Sequence, residues 1–105
     1  MELKGKQKRY LRAQAHHLNP LFQVGKGGVN EEMLKQIDEA LAKRELIKIN
    51  LLQNTDLTPG EVAETLQNTI DCEVVQIIGK VLVLFKVAPK EKYRKISPKV
   101  FALGK

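Results

Sequence analysis

The feature that most constrains the fold is an alternation of strand and helix patterns along the chain. Short apolar or alternating runs, typical of strands, occupy residues 21–24, 46–52, 73–78 and 81–87. Apolar residues recur at helical spacing over residues 3–18, 31–44 and 59–70. The order α-β-α-β-α-β-β predicts a single compact α/β domain in which a mixed four-stranded sheet packs against helices.

Local signals set the expected ends and pairings of these elements. Asn30 fits an N-cap, and Thr58 opens a capping box with Glu61 three residues later. The Gly79-Lys80 pair suits a two-residue type II′ hairpin turn, in which glycine takes the positive φ. The two strand–helix–strand units imply parallel pairing with right-handed crossovers. Residues 81–87 are apolar on both faces, so we expect this strand in the middle of the sheet.

The charge of the chain is concentrated at its two ends. Of 105 residues, 18 are Lys or Arg and 12 are Asp or Glu, which gives a net charge of +6. Residues 1–26 and residues 89–105 each hold six basic residues against one acidic residue, whereas residues 27–88 carry a net −4. This asymmetry favours an anionic partner, either nucleic acid or an anionic membrane surface. We expect residues 1–88 to form the domain and residues 89–105 to be a basic tail that is either flexible or a weakly docked extension.

Composition excludes several classes of protein. A single cysteine, Cys72, cannot build a disulfide framework or a multi-cysteine zinc site, and we expect it to fill the core. No apolar run approaches the roughly 18 residues of a membrane span. The basic start of the chain lacks the apolar stretch of a signal peptide, so a cytoplasmic location is expected.

The first predicted helix, residues 3–18, separates its side chains onto two faces. At about 100° per residue, one arc of the helical wheel contains Leu3, Gln7, Tyr10, Leu11, Gln14, His17 and Leu18. The opposite arc contains Lys4, Lys6, Lys8, Arg9, Arg12 and His16. We therefore expect the helix to bury the first arc and to present the second to a phosphate backbone. Asn19-Pro20 is expected to end it.

Gly25-Lys26-Gly27-Gly28 forms a glycine-rich loop between a strand and a helix. Backbone N–H groups in such a loop bind phosphate, and glycines let the phosphate approach closely. Lys26 and the amides of Gly27 and Gly28 are the expected donors. The loop lacks the spacing of a Walker A or dinucleotide-binding motif, and a plain turn with positive φ is the alternative. Lys48, on the more polar face of its strand, is a weaker candidate contact.

No set of side chains indicates catalysis. His16 and His17 point about 100° apart on a helix, so they cannot share a metal ion. We interpret the helical carboxylates as solvated surface groups: Asp38, Glu39, Glu61 and Glu64. Only Phe22 and Phe85 fall in strands, so bases are not expected to stack on the sheet. We expect no enzymatic activity, no cofactor and no metal.

Several stretches of the chain form a wider pattern when taken together. They are Gly5-Lys6-Gln7-Lys8-Arg9-Tyr10-Leu11-Arg12, Ala15-His16-His17-Leu18 with Pro20, Val24-Gly25-Lys26-Gly27-Gly28, Ile37-Asp38-Glu39-Ala40-Leu41, Glu45-Leu46-Ile47-Lys48 and residues 75–84. Over about residues 3–87 this pattern resembles the YhbY-like RNA-binding family, whose module is called the CRM domain, for chloroplast RNA splicing and ribosome maturation.

The resemblance implies a fold similar to the C-terminal domain of bacterial translation initiation factor three, with residues 25–28 as a clamp on the RNA backbone. It also implies a role on precursors of the large ribosomal subunit, because the chain has room for one copy of the module only. We therefore expect ribosomal RNA or a pre-ribosomal particle as the partner, no small-molecule substrate, no membrane, and a monomer.

Three alternatives stay open at this point. The first is a nonspecific DNA or nucleoid binder. The second is a small enzyme for a phosphate ligand, which requires a deep pocket beside Gly25. The third is a membrane-surface role for the basic helix.

Overall fold

A computed structural model describes residues 1–105 and contains nine elements. They are α1 (Gly5–Ala15), β1 (Pro20–Val24), α2 (Glu31–Arg44), β2 (Leu46–Leu51), α3 (Pro59–Ile70), β3 (Glu73–Ile78), β4 (Val81–Phe85), a 3₁₀ turn (Glu91–Tyr93) and α4 (Ser97–Leu103). The predicted order is confirmed as far as β4, and the last two elements add to it. The α/β class and the mixed four-stranded sheet are confirmed as well.

The strands lie in the order β1-β2-β4-β3. β1 pairs with β2 in parallel, and β4 runs antiparallel to both of its neighbours, β2 and β3. β4 is therefore central, as its apolar faces predict. The expectation of parallel pairing holds only for the first strand–helix–strand unit, because β4 lies between β2 and β3. The two-residue β3–β4 hairpin forces these strands together, so β2 pairs with the other edge of β4.

Local signals for turns and caps are also found in the structure. Asn30 accepts a hydrogen bond from the N–H of Met33, and Thr58 accepts one from the N–H of Glu61. Gly79 has a φ of +57°, whereas Lys80 is not among the residues with positive φ. A positive φ at the first turn position alone is the pattern of a type II′ turn.

Apolar side chains form two cores, one on each face of the sheet. The larger core lies between the sheet and α2 and α3, and it contains Ile37, Leu41, Ile47, Ile49, Val62, Leu66, Leu82 and Leu84. Cys72 is buried in this core, as predicted. The smaller core joins the other sheet face to α1 and α4, and it contains Leu3, Leu11, Ala15, Leu46, Val75, Val83, Phe85 and Val100.

α1 is shorter than its sequence pattern predicts. It spans Gly5–Ala15, and its buried side chains are Gln7, Leu11 and Ala15. Gln14, His17 and Leu18 were expected in the buried arc, but all three are exposed. The helix ends in a turn closed by the N–H of Leu18 and the carbonyl of Ala15, so the last two no longer follow the helical wheel.

The C-terminal segment differs from the flexible tail that the sequence predicts. α4 is packed against α1, and the Val100 side chain is fully buried between them and the sheet. Gln7 Nε2 donates a 2.8 Å hydrogen bond to the carbonyl of Val100. Residues 89–105 are thus part of the folded body, and the domain extends beyond the predicted boundary at residue 88.

A buried carboxylate explains why this segment docks. Glu45, at the end of α2, is fully buried and accepts hydrogen bonds from the N–H groups of Ala88, Ile96 and Ser97 at 2.9–3.0 Å. Burial alone would raise the pKa of this carboxyl. The nearby Ser97 hydroxyl and the three N–H donors favour the charged form and outweigh burial, so the Glu45 pKa is lowered.

Candidate nucleic-acid interface

The glycine loop lies at the end of the sheet where β1 and β2 finish and the β3–β4 hairpin turns. The N–H of Gly28 donates to the carbonyl of Gly25 at 3.0 Å and closes a tight turn. Gly28 has a φ of +67°, which glycine adopts without steric cost. At Gly27, a Cβ would meet no atom within 4 Å. The loop therefore leaves an open approach at Gly27, while Gly28 serves the turn itself.

The free donors of the loop differ from those expected. The Gly28 amide is used within the turn, so it is not available to a phosphate. The N–H groups of Lys26 and Gly27 donate to no other protein group, and the Lys26 side chain is exposed. The first turn of α2 already carries Glu31 and Glu32, which offset the positive end of its helix dipole. An anion at this loop would therefore be held by Lys26 and two amides, and not by the helix terminus.

The exposed face of α1 carries cations without acidic partners. Lys6, Lys8, Arg9 and Arg12 are all exposed. The salt bridges of the structure join the N-terminus to Glu73 and Lys86 to Asp38, so none involves these four side chains. Unpaired cations on one helix face concentrate positive potential there and attract a polyanion.

Two of the predicted contacts, Lys4 and His16, lie just outside the two ends of α1. Lys4 donates from Nζ to the carbonyl of Gly104 at 2.7 Å, so it ties α1 to α4 in the absence of a ligand. His16 is exposed just past the end of the helix, with its ring edge-on to that of His17 at 5.4 Å. His16 is therefore accessible at the same end of α1 as Arg12.

The strand register places Lys48 relative to α1. Lys48 lies opposite Pro20 of β1 and Val83 of β4. Val83 belongs to the core beneath α1, so the half-buried Lys48 faces the same side of the sheet. The five residues of β1, about 16 Å of strand, separate the end of α1 from the glycine loop. The loop and α1 are thus not in contact. Lys48 lies on the face of the sheet that extends between the loop and α1.

No cavity that could hold a small ligand lies beside the glycine loop. The three cavities are open, with volumes of about 220 to 390 Å³, and none is lined by residues 25–28. The enzyme alternative predicted a pocket at that place.

Burial raises the pKa of the Cys72 thiol to about 11, and no group of three His, Cys, Asp or Glu side chains is arranged to hold a metal ion. None of the helices combines the length and apolar character needed to cross a bilayer.

Sequence reasoning missed the contribution of the C-terminal segment to this side of the molecule. α4 carries exposed Lys99 and Phe101 and packs directly against α1. One signal could have predicted it, since Ser97-Pro98 is a common helix start in which proline occupies the first turn.

Comparison with known proteins places the chain in a family. Residues 3–86 match the CRS1 / YhbY (CRM) domain. The chain is 54% identical over 90 residues to the probable RNA-binding protein YqeI of Bacillus subtilis, covering 86% of this chain and 94% of the relative. It is 42% identical over 100 residues to a probable RNA-binding protein of Methanocaldococcus jannaschii, covering 93% of this chain and 72% of the relative.

A solved structure agrees with this match. The solution structure of the hypothetical protein SAV1595 from Staphylococcus aureus is 49% identical and superposes with a TM-score of 0.72, covering 90% of this chain and 98% of the other. The chain therefore belongs to the CRS1/YhbY (CRM) domain family.

Proposed function

We propose that this protein binds RNA through the exposed face of α1. The observation that carries the proposal is the row of four exposed cations, Lys6, Lys8, Arg9 and Arg12, with no acidic partner. Lysine and arginine side chains arranged in this way neutralise successive phosphates and release their condensed counterions. Two relatives that share most of the chain are named as probable RNA-binding proteins, which favours RNA as the polyanion.

The glycine loop supplies a second contact in this proposal. Lys26 and the free amides of Lys26 and Gly27 would hold one phosphate, and the open space at Gly27 would let the backbone of the RNA approach. Lys48 would contact a phosphate between the loop and α1. The RNA would then cross one side of the sheet from the end of β1 to α1.

We further propose that the RNA is ribosomal RNA within precursors of the large subunit, bound by a monomer in the cytoplasm. The resemblance to stand-alone bacterial members of the family supports this role. Sedimentation of the tagged protein from cell extracts tests it, because a ribosome assembly factor should migrate with large-subunit precursors. Recovery only at the top of the gradient, at low and at high salt alike, would contradict the assembly role.

The binding surface itself is tested by removing positive charges from two helices that lie on opposite sides of the sheet. A variant with Lys8, Arg9 and Arg12 changed to Gln removes three cations from α1. The matched control changes Lys35, Lys43 and Arg44 of α2 to Gln, with the same loss of net charge on the other side of the sheet. Each phosphate contact contributes about −0.7 to −0.9 to the slope of log K against log salt. We expect the magnitude of that slope to fall by about 2 to 3 in the α1 variant and to stay unchanged in the control.

Fluorescence anisotropy with a folded ribosomal RNA fragment and with duplex DNA, at matched salt, gives the readout. Equal losses in the two variants would show that only net charge matters, and the α1 surface would be wrong. Tighter binding to the DNA than to the RNA would favour the nucleoid alternative instead.

The loop contact is tested separately at Gly27. Because a Cβ there meets no atom within 4 Å and Gly27 is exposed, Gly27→Leu should fold normally and block the approach of the RNA. Gly27→Ala is the matched control, since its single methyl group leaves most of the space open. Unchanged affinity of a folded Gly27→Leu variant would remove the loop from the proposed surface.

A further inference from the structure

The fold brings the two basic ends of the chain together. α1 and α4 run in opposite directions, with Gln7 bonded to the carbonyl of Val100 at 2.8 Å and Lys4 to the carbonyl of Gly104 at 2.7 Å. Lys99 and Lys105, in and just after α4, therefore lie on the same side of the molecule as the cations of α1, whereas Lys90 lies beside α2. Lys95, Lys99 and Lys105 are exposed and have no acidic partner.

The flank of α1 that faces α4 can be identified from its packing. Leu3, just before α1, and Tyr10 of α1 belong to the same apolar cluster as Ile96 and Val100. Residues four apart on a helix lie about 40° from each other, so Lys6 projects on the flank of Tyr10. The first turn of α1, which carries Lys6, lies beside α4 through the bonds of Lys4 and Gln7.

An exposed aromatic ring lies at this junction. The Phe101 side chain is 44% exposed. It lies one turn before Gly104 on the same flank of α4, and a Cβ on Gly104 would come within 2.5 Å of Gln7 Nε2. Phe101 is thus one turn from the contact of α4 with Gln7, and it follows the exposed Lys99 by two residues.

α4 is held firmly enough to present these groups in a fixed arrangement. Val100 and Ser97 are fully buried, and the Glu45 carboxylate accepts hydrogen bonds from the N–H groups of Ile96 and Ser97. Binding would have to order a mobile tail, which costs conformational entropy. Folding has already ordered this segment, so binding does not carry that cost. The segment lies outside residues 3–86, which match the family domain.

We propose that α4 forms the second half of the RNA-binding surface, with Phe101 as a stacking platform for an unpaired base. This inference rests on the proposed function and adds the substrate class, an RNA with a single-stranded segment beside a helical one. Aromatic side chains among cations stack unpaired bases while the cations hold the phosphates. A membrane surface fits less well, because Val100 is buried and Phe101 is the one large apolar side chain that α4 exposes.

The stacking contact is tested with an RNA hairpin that carries a single-stranded 3′ overhang and with the same hairpin lacking the overhang. Phe101→Ala should weaken binding of the first RNA about tenfold or more and leave binding of the second unchanged. Ile78→Ala is the matched control, since Ile78 is 54% exposed at the far edge strand β3. The chain contains no tryptophan, so Phe101→Trp introduces a single tryptophan. This variant should keep the affinity, and its tryptophan emission should fall when a base stacks on the ring.

The cations are tested by changing Lys95, Lys99 and Lys105 to Gln. We expect the magnitude of the salt slope on the overhang RNA to fall by about 2, from about 0.7 per single-strand phosphate contact. The α2 triple variant serves again as the control of equal net charge.

The outcomes separate this inference from the proposed function. Loss of binding in the α1 variant, with wild-type affinity in Phe101→Ala and in the α4 triple variant and no change in Phe101→Trp emission, would overturn the role of α4 alone. Failure of the wild-type protein to bind either RNA would overturn the proposed function and this inference with it.

Discussion

Replacing Glu45 by Gln should release the C-terminal segment from the body of the protein. Glu45 Oε1 accepts from the N–H groups of Ile96 and Ser97, at 2.9 and 3.0 Å, and Oε2 accepts from the N–H of Ala88 at 2.9 Å. A glutamine keeps one acceptor oxygen. Its amide nitrogen would then face a backbone N–H, so one buried donor loses its partner.

The size of the effect follows from these three bonds. A buried donor left without a partner costs about 1–3 kcal/mol, and hydrogen bonds to a charged group are stronger than neutral ones by about 1 kcal/mol each. The two retained bonds weaken by about 1 kcal/mol each, so we expect docking of the segment to lose about 3–5 kcal/mol. The effect on global unfolding is capped at the docking free energy, because the segment detaches before the sheet unfolds.

The same carboxylate makes docking depend on pH in a defined direction. Because folding lowers the pKa of Glu45, its contribution is fully present above the ordinary carboxyl pKa, about 4.3. The contribution is lost as pH falls through the lower, folded value. The Gln variant should lack this pH dependence, since it has no proton to bind.

Amide hydrogen exchange followed by NMR is the direct measurement. In the Gln variant the N–H groups of Ala88, Ile96 and Ser97 should exchange faster, while those of the central strand β4 keep their protection. Glu39→Gln is the matched control, because Glu39 is exposed on the same helix. Equal protection of the three amides in both variants at neutral pH would refute the role assigned to the Glu45 carboxylate.

Three smaller changes probe other parts of the fold. Since burial raises the Cys72 pKa to about 11, a thiol reagent at pH 8 should react slowly with the native protein and fast in urea; fast reaction in both would show an accessible thiol. Thr58→Ala removes the hydrogen bond to the N–H of Glu61 and should lower the urea-unfolding free energy by about 1 kcal/mol, and no change would mean that the cap contributes nothing. Gly79→Ala places a side chain at a φ of +57° and should cost about 1 kcal/mol in the same assay, whereas Gly27→Ala, outside the positive-φ region, should cost less.

The parts of the fold that were predictable from the sequence are those governed by neighbouring residues. Thr58 and Glu61 are three positions apart, and the Gly79-Lys80 turn is set by two adjacent residues, so both signals are complete within a short window. The order of the strands was less accessible. The central place of β4 was predicted from its apolar faces, but the pairing of its free edge with β2 is a long-range choice that no local pattern encodes.

The C-terminal segment was mispredicted because its anchor is distant in sequence. The donors of Ile96 and Ser97 are 51 and 52 residues from the Glu45 carboxylate that binds them. Glu45 also has a φ of +66° at the end of α2, a position at which glycine is usual and other residues are strained. A strained glutamate there is explained by its side chain, which holds the chain terminus.

The proposed binding surface shows the same division between local and long-range information. The basic face of α1 follows from helical spacing alone, because Lys8 and Arg12 are one turn apart on the exposed side of the helix. The position of Phe101 follows only from the docking of α4, because no residue close to Phe101 in the sequence indicates that α4 packs against Gln7. If Glu45 holds α4 in place, then Glu45→Gln should weaken RNA binding about as much as the loss of the α4 cations, although Glu45 itself is buried and cannot touch the RNA. A Gln variant with detached α4 and full RNA affinity would show that the surface ends at α1.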